Sequence, residues 1–214
     1  MMDDEFFDKL REKIQPYYED GGSHDFSHTE RVYNMAIKIS EGEDVDMDIV
    51  RTAVLLHDTA RHKQDCGEVD CHAVAGAQIA EEILKETDFP KDKIEKVVYA
   101  ISVHRHSSKA ETETREAEIL QDADRLDALG AIIIGRMFAT GGKMGTPLYD
   151  PKIPLGEMGK GGYSKTTING FYDKLAKIKP ETFKTAKARR IAKDRYKYIM
   201  DFAERFKKEW RGEI

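Results

Sequence analysis

Apolar residues recur along this chain at intervals of three and four almost everywhere and alternate almost nowhere, the periodicity of amphipathic helices rather than strands. Phe6, Phe7, Leu10, Ile14 and Tyr17 share one face of a first helix, which Asp20-Gly21-Gly22 is placed to stop. Ser27-x-x-Glu30 reads as a capping box that opens a second helix, with His28, Val32, Met35 and Ile39 on one stripe. Residues 46–57 predict a third helix that is apolar on nearly every side, through Ile49, Val50, Ala53, Val54, Leu55 and Leu56, and therefore buried. It runs straight into His57-Asp58. A fourth helix, about 70–86, sets His72, Ala75, Ile79 and Ile83 on one face. A fifth, about 91–104, carries Ile94, Val97, Val98 and Ile101 and closes at His104. The sixth is long, from near Thr114 through Ala117, Leu120, Asp124, Ala128 and Ala131 to Gly141-Gly142.

Residues 141–166 break the pattern. Glycines crowd between Gly141 and Gly162 and are interleaved with Pro147, Pro151 and Pro154. A loop of that length inside a compact domain is a lid, a binding loop or a disordered segment. Lys143, Lys152, Lys160 and Lys165 make it locally basic, which suits a lid over an anion, with a surface loop that never meets substrate as the plain alternative. It lacks the G-x-x-x-x-G-K-[ST] spacing of a nucleotide P-loop. Two helices follow, one with Ile168, Phe171, Leu175 and Ile178, the other over about 181–210 with Ile191, Tyr198, Phe202, Phe206 and Trp210. The expectation is an all-α fold: one domain over 1–214, a helical core over about 20–140, the loop 141–166 and C-terminal helices over 167–210, which offer a surface for a homodimer.

Composition changes this picture little. The chain has 214 residues, 40% apolar and 35% charged, with a net charge of −5. That balance argues against a nucleic-acid polymer as partner, which wants a basic face, but leaves a small anionic substrate open, because the field inside a cleft is local. Cys66 and Cys71 have no second pair and are not spaced C-x-x-C, so two free thiols are expected rather than a thiolate metal site with His72. The N-terminal stretch lacks a basic and an apolar region, and no apolar run is long enough for a membrane, so a cytoplasmic protein without membrane association is expected.

The chemistry lies where polarity and position disagree. His57-Asp58 ends the most apolar stretch of the first half, and Asp124 sits among alanines and leucines on an inward face. An ionised carboxylate in such a place must be paired or bind a metal. His28 and His72 also lie on apolar stripes. Each taken alone has a plain reading, as a core histidine, a cap or half of an ion pair. Together, with no inward lysine to match them, they point to one shared cation. A mixed nitrogen and oxygen donor set suits Fe, Mn, Co, Ni or Zn, with Mg admissible, over a thiolate-selective ion.

The order His28 … His57-Asp58 … Asp124 resembles the signature of the HD-domain superfamily, H…HD…D on a helical core. Ser27-His28-Thr29-Glu30-Arg31-Val32, Leu55-Leu56-His57-Asp58 and the run from Gln121 to Ala131 look like a bacterial and archaeal subgroup known mainly as predicted HD-superfamily hydrolases. The resemblance continues through Pro147-Leu148-Tyr149-Asp150-Pro151 and Thr166-Thr167-Ile168-Asn169. It implies that His28, His57, Asp58 and Asp124 ligate a divalent metal. It also implies hydrolysis of a phosphomonoester or phosphodiester, of a nucleotide or another small phosphorylated metabolite, by attack of a metal-bound hydroxide. Two other activities occur on such a fold: di-iron oxygenation, which needs His72 and His104 as ligands, and nucleotide sensing without catalysis.

Around the four ligands the resemblance implies further roles. His72 and His104 either hold a second ion, with Asp58 as bridge, or bind phosphate and relay protons. Asp127, one turn after Asp124, is placed to orient a water or a ligand histidine. Arg31, three residues after His28 on one helix face, suits bidentate binding of a phosphate. Arg61 stands where related nucleotidases carry a glutamate, which argues against their proton chemistry and for phosphate binding. Lys143 is a further candidate for substrate contact, and His24 and His106 read as solvated.

Overall fold

A computed structural model of the chain describes residues 1–18, 26–106 and 111–214, with Lys160 described by its backbone alone. The fold is all-α: among the described residues no strand forms, and the one bridge, Met158 with Ser164, is isolated. No helix among the described residues is long and apolar enough to cross a membrane. The expected stop at Asp20-Gly21-Gly22 and the expected exposed His24 lie outside the described residues.

The contacts group into two compact units, Met1–Arg125 and Leu126–Ile214. The first unit contains α1 (Asp4–Ile14), α2 (Phe26–Ser40), α3 (Met47–Leu56), α4 (Arg61–Asp65), α5 (His72–Lys85) and α6 (Lys91–Val103). Its centre is α3, which packs against α1, α2, α5 and α6. Ile49, Val50, Ala53, Val54, Leu55 and Leu56 are all buried, as the unbroken apolar run predicts. Burial of each larger aliphatic side chain contributes roughly 1.5–3 kcal/mol, so a helix apolar on every side can only be an interior one. Asp46 caps its start by accepting from the Asp48 N–H at 2.9 Å.

Two local expectations are corrected. The capping box at Ser27 and Glu30 does not form: α2 already includes Phe26, Ser27 Oγ accepts from Arg31 at 2.9 Å, and Glu30 accepts from Arg11 of α1 at 2.7 Å. Ser27 thus lies inside the helix instead of at its N-cap, and the Glu30 carboxylate is turned to a neighbouring helix. The single long sixth helix is two, α7 (Arg115–Asp127) and α8 (Ala131–Met144), parted at Gly130. Gly130 takes φ 95° and ψ −159°, a conformation nearly restricted to glycine. Arg195 secures the break from α10 (Ala186–Trp210) by donating to the Leu126 carbonyl at 2.7 Å.

In this second unit α8, α9 (Thr167–Asp173) and α10 pack on one another through an aromatic cluster of Phe138, Phe171, Phe202 and Phe206. The glycine- and proline-rich segment starts later than predicted, because α8 runs on through Gly141 and Gly142 to a left-handed Gly145. It is pinned at its end, where the N–H groups of Thr167 and Ile168 donate to the Pro147 and Leu148 carbonyls.

Gly130→Ala should lower the unfolding free energy by about 1–3 kcal/mol, because alanine cannot take the same dihedrals without strain. Urea unfolding of the variant beside the parent checks this; an unchanged midpoint would contradict the strained break.

Candidate metal centre

The first unit brings six of the predicted residues to one place. α3 ends at Leu56, and His57, Asp58, Thr59 and Ala60 form a fully buried turn beyond it. α5 approaches that turn closely at Gly76, where an added Cβ would lie 3.2 Å from the His57 carbonyl oxygen. His28 enters from α2, His72 from the first position of α5, His104 from the end of α6 and Asp124 from α7.

Asp58 sits in the middle. Its Oδ2 lies 3.7 Å from His28 Nε2 and 3.7 Å from His57 Nε2. Its Oδ1 faces the other way, 3.4 Å from His72 Nε2 and 3.9 Å from His104 Nε2. Asp124 Oδ1 stands 3.4 Å from His28 Nε2. Two groups of donors, each with its ligand atoms within 4.8 Å of one another, therefore share one carboxylate: His28, His57 and Asp58, and Asp58, His72 and His104. Neither includes a cysteine. Cys66 is exposed with its sulfur 3.4 Å from His62 Nε2, and Cys71 caps α5 just ahead of His72.

The imidazoles are aimed by their far sides. His57 Nδ1 donates to the Val54 carbonyl at 2.6 Å and His104 Nδ1 to the Ile101 carbonyl at 2.6 Å, each one helical turn back. His72 Nδ1 donates instead to Gln64 Oε1 at 2.5 Å. A carbonyl only accepts, so in the neutral ring Nδ1 carries the hydrogen and Nε2 presents a bare lone pair to the interior. His57 Nε2 is buried without a hydrogen-bond partner. A buried lone pair left so is costly unless something else meets it. That orphaned atom, with carboxylates beside it, fits a cation of the divalent transition series.

Electrostatics agree. Burial pushes the His57 imidazolium down, against the pull of Asp58. Burial likewise lowers His72 to about 4, with Asp58 opposing and His104, Arg61 and His57 adding. Burial alone would raise Asp124, but its hydrogen bond to His28 and the charges of His28, His57 and His104 outweigh that and bring it to about 2. The cluster at neutral pH holds unprotonated His57 and His72 with an ionised Asp124, the protonation state that ligands need.

The other predicted residues lie as follows. Arg61 opens α4, partly buried, paired with Asp65 at 3.0 Å and near enough to His72 to depress it. Arg31 is half-buried on α2 against Ser27. Asp127 is buried, and Arg136 donates to it at 2.8 Å, so the structure gives it a guanidinium partner within the second unit. Lys143 is exposed in the last turn of α8, also in the second unit, and His106 is exposed. Two residues near the cluster escaped the sequence reading. Gln64 is an ordinary polar residue on a short helix, and nothing in its neighbours marks it. Tyr18 donates to the Leu55 carbonyl at 3.1 Å, and burial and the Asp58 charge push its hydroxyl far up.

Residues 25–129 match the HD domain family. An HD-superfamily hydrolase from Bacillus thuringiensis has a crystal structure 34% identical to this chain over 97% of it and 98% of that protein, with a TM-score of 0.77. The chain belongs to the HD-domain superfamily. Another structurally similar member is a predicted HD-superfamily hydrolase from an uncultured Thermotogales bacterium, 30% identical over 95% of this chain and 92% of that one, with a TM-score of 0.67. YpgQ of Bacillus subtilis, an uncharacterized protein, is 29% identical over 96% of this chain and 94% of its own length. Its crystal structure in complex with ADP superposes with a TM-score of 0.72 at 26% identity, covering 96% of this chain and 95% of that one. HD proteins as a class are metal-dependent phosphohydrolases, and the histidines and aspartates described above include the residues of the H…HD…D signature.

A depressed imidazolium makes folding depend on pH in a definite direction. In metal-free protein the folded state binds fewer protons than the unfolded chain wherever His72 is neutral only when folded, so stability present above about pH 6.5 is lost as the pH falls toward 4. His72→Asn should flatten part of that slope. Urea midpoints between pH 7 and pH 4, with chelator present, measure it; identical slopes in the two proteins would count against the burial described.

Proposed function

We propose that this chain is a divalent-metal-dependent phosphohydrolase of small phosphorylated metabolites, with nucleotides as the favoured substrate class. The observation that carries the reading is the Asp58 carboxylate, held between two pairs of inward Nε2 atoms within a buried turn. His28, His57, Asp58 and Asp124 would hold one ion, and Asp58, His72 and His104 a second. A divalent cation bound there supplies Lewis acidity, lowering the pKa of a water and polarising a phosphoryl oxygen.

The alternative role for His72 and His104, donating to substrate phosphate, fits the geometry less well. Their Nδ1 hydrogens are spent on Gln64 and Ile101, so in the neutral rings the inward Nε2 atoms have none to give. Such atoms accept a cation, not a phosphoryl oxygen. The positive charge for the substrate comes instead from Arg61, beside His72, and from Arg31 one turn along the helix of His28. A guanidinium is suited to that task because its planar donors match two phosphate oxygens at once. Asp124 keeps its charge to about pH 2 and so balances the cation throughout the physiological range. That a relative similar over nearly its whole length was crystallised with ADP supports a nucleotide as substrate.

Phosphate release from nucleoside mono-, di- and triphosphates and from sugar phosphates, screened with Mn, Co, Ni, Fe and Mg, should reveal activity in at least one pair of metal and substrate. Asp124→Ala should lower that activity by roughly two orders of magnitude or more, since loss of an outer partner of a ligand alone removes about 10–100-fold, while helical circular dichroism stays near that of the parent. Undiminished turnover in this variant would end the proposal. Two irons per chain with a redox-sensitive spectrum would favour the oxygenase reading that the same six side chains permit.

A further inference from the structure

The histidines with a described Nδ1 contact are not held alike. His57 and His104 each close a helix, so the carbonyl one turn back is available, and their rings are held by Val54 and Ile101 main chain. His72 is the first residue of α5, and no helical turn precedes it. Its ring is held by a side chain eight residues earlier, Gln64. The amide of Gln64 is fixed in one sense: Nε2 donates to the Asp70 carbonyl at 2.8 Å, which turns Oε1 to His72. That oxygen accepts from the His72 ring at 2.5 Å and from the His72 backbone N–H at 3.3 Å. Gln64 thus fastens both the start of α5 and the ring that α5 presents to Asp58, and it does so from α4, the helix that also carries Arg61.

We infer that Gln64 is a positioning residue that sets the occupancy of the Asp58–His72–His104 half of the centre, independently of the half built on His28, His57 and Asp124. The inference rests on the two-ion reading above. Its physical basis is the ring's second nitrogen. An acceptor on Nδ1 fixes the tautomer and the aim of Nε2 and raises its basicity, and the loss of such an acceptor lowers metal affinity by about 10–100-fold. A neutral amide does this less strongly than a carboxylate would. The half-centre held by Gln64 also has a single carboxylate, shared with its neighbour, whereas the other half has Asp58 and Asp124. The ion at His72 and His104 is therefore the weaker and more exchangeable of the two.

Cobalt(II) titration of the chelator-treated full chain, followed by its visible absorption and by calorimetry, tests this without any substrate. The parent should take up two ions in two steps. Gln64→Leu should keep the first step and weaken the second by about 10–100-fold, with the absorption of the second ion lost over the concentrations at which the parent fills. Gln64→Glu, which keeps the acceptor and adds charge, should bind the second ion at least as tightly as the parent. It also serves as the decisive variant if Gln64→Leu fails to fold. Two undiminished steps in Gln64→Leu, or a weaker second step in Gln64→Glu, would overturn the inference while leaving the two-ion reading intact. A parent that binds only one ion would overturn the two-ion reading itself, and this inference with it.

Discussion

One carboxylate organises the first unit of this protein. Asp58 is buried at the turn after the most apolar helix, and its two oxygens divide the inward imidazoles between them. An ionised group cannot stay in such a place unless opposite charge or donors meet it. The helices α2, α3, α5 and α6 each bring a ring to within 4 Å of it, so their packing and the chemistry of the site form one constraint. The apolar interior is also what keeps His57 and His72 unprotonated at neutral pH, because burial disfavours the imidazolium. Greasy surroundings and metal-ready donors are two descriptions of the same packing.

Much of this could be read from the chain because the signal was a contradiction. His57-Asp58 at the end of Ile49–Leu56, and Asp124 on the face of Ala117 and Leu120, are polar groups exactly where the helical period demands apolar ones. The helical period itself placed α3, α5 and α6 to within a residue or two. What the period could not show was where a helix breaks without losing its pattern. Residues 126–131 read as continuous helix, whereas the left-handed φ of Gly130 and the hydrogen bond from distant Arg195 to the Leu126 carbonyl mark the break between α7 and α8. Ser27 and Glu30 have the spacing of a capping box, yet α2 already includes Phe26, Ser27 accepts from Arg31 within the same helix, and Glu30 accepts from Arg11 of α1.

Gln64 illustrates the other kind of blindness. His57, Asp58 and Asp124 announce themselves by being polar in apolar stretches, whereas Gln64, whose amide oxygen accepts from the His72 ring, is polar in a polar segment and looks like solvent-facing surface. Asp127 shows what spacing leaves open: it lies one turn after Asp124, and Arg136 donates to its carboxylate. Spacing along a helix reports which face a residue shares, not what stands opposite that face.

Holding His57 and His104 by main-chain oxygen has an evolutionary corollary. The residues at 54 and 101 can drift among any side chains the interior tolerates, because every amino acid brings the same carbonyl. The aim of those rings is thus inherited from the helix itself and is robust to mutation. The aim of the His72 ring, by contrast, is written in a single replaceable side chain, and so is the one ring orientation of the three that a lineage could alter without changing any histidine or aspartate of the cluster.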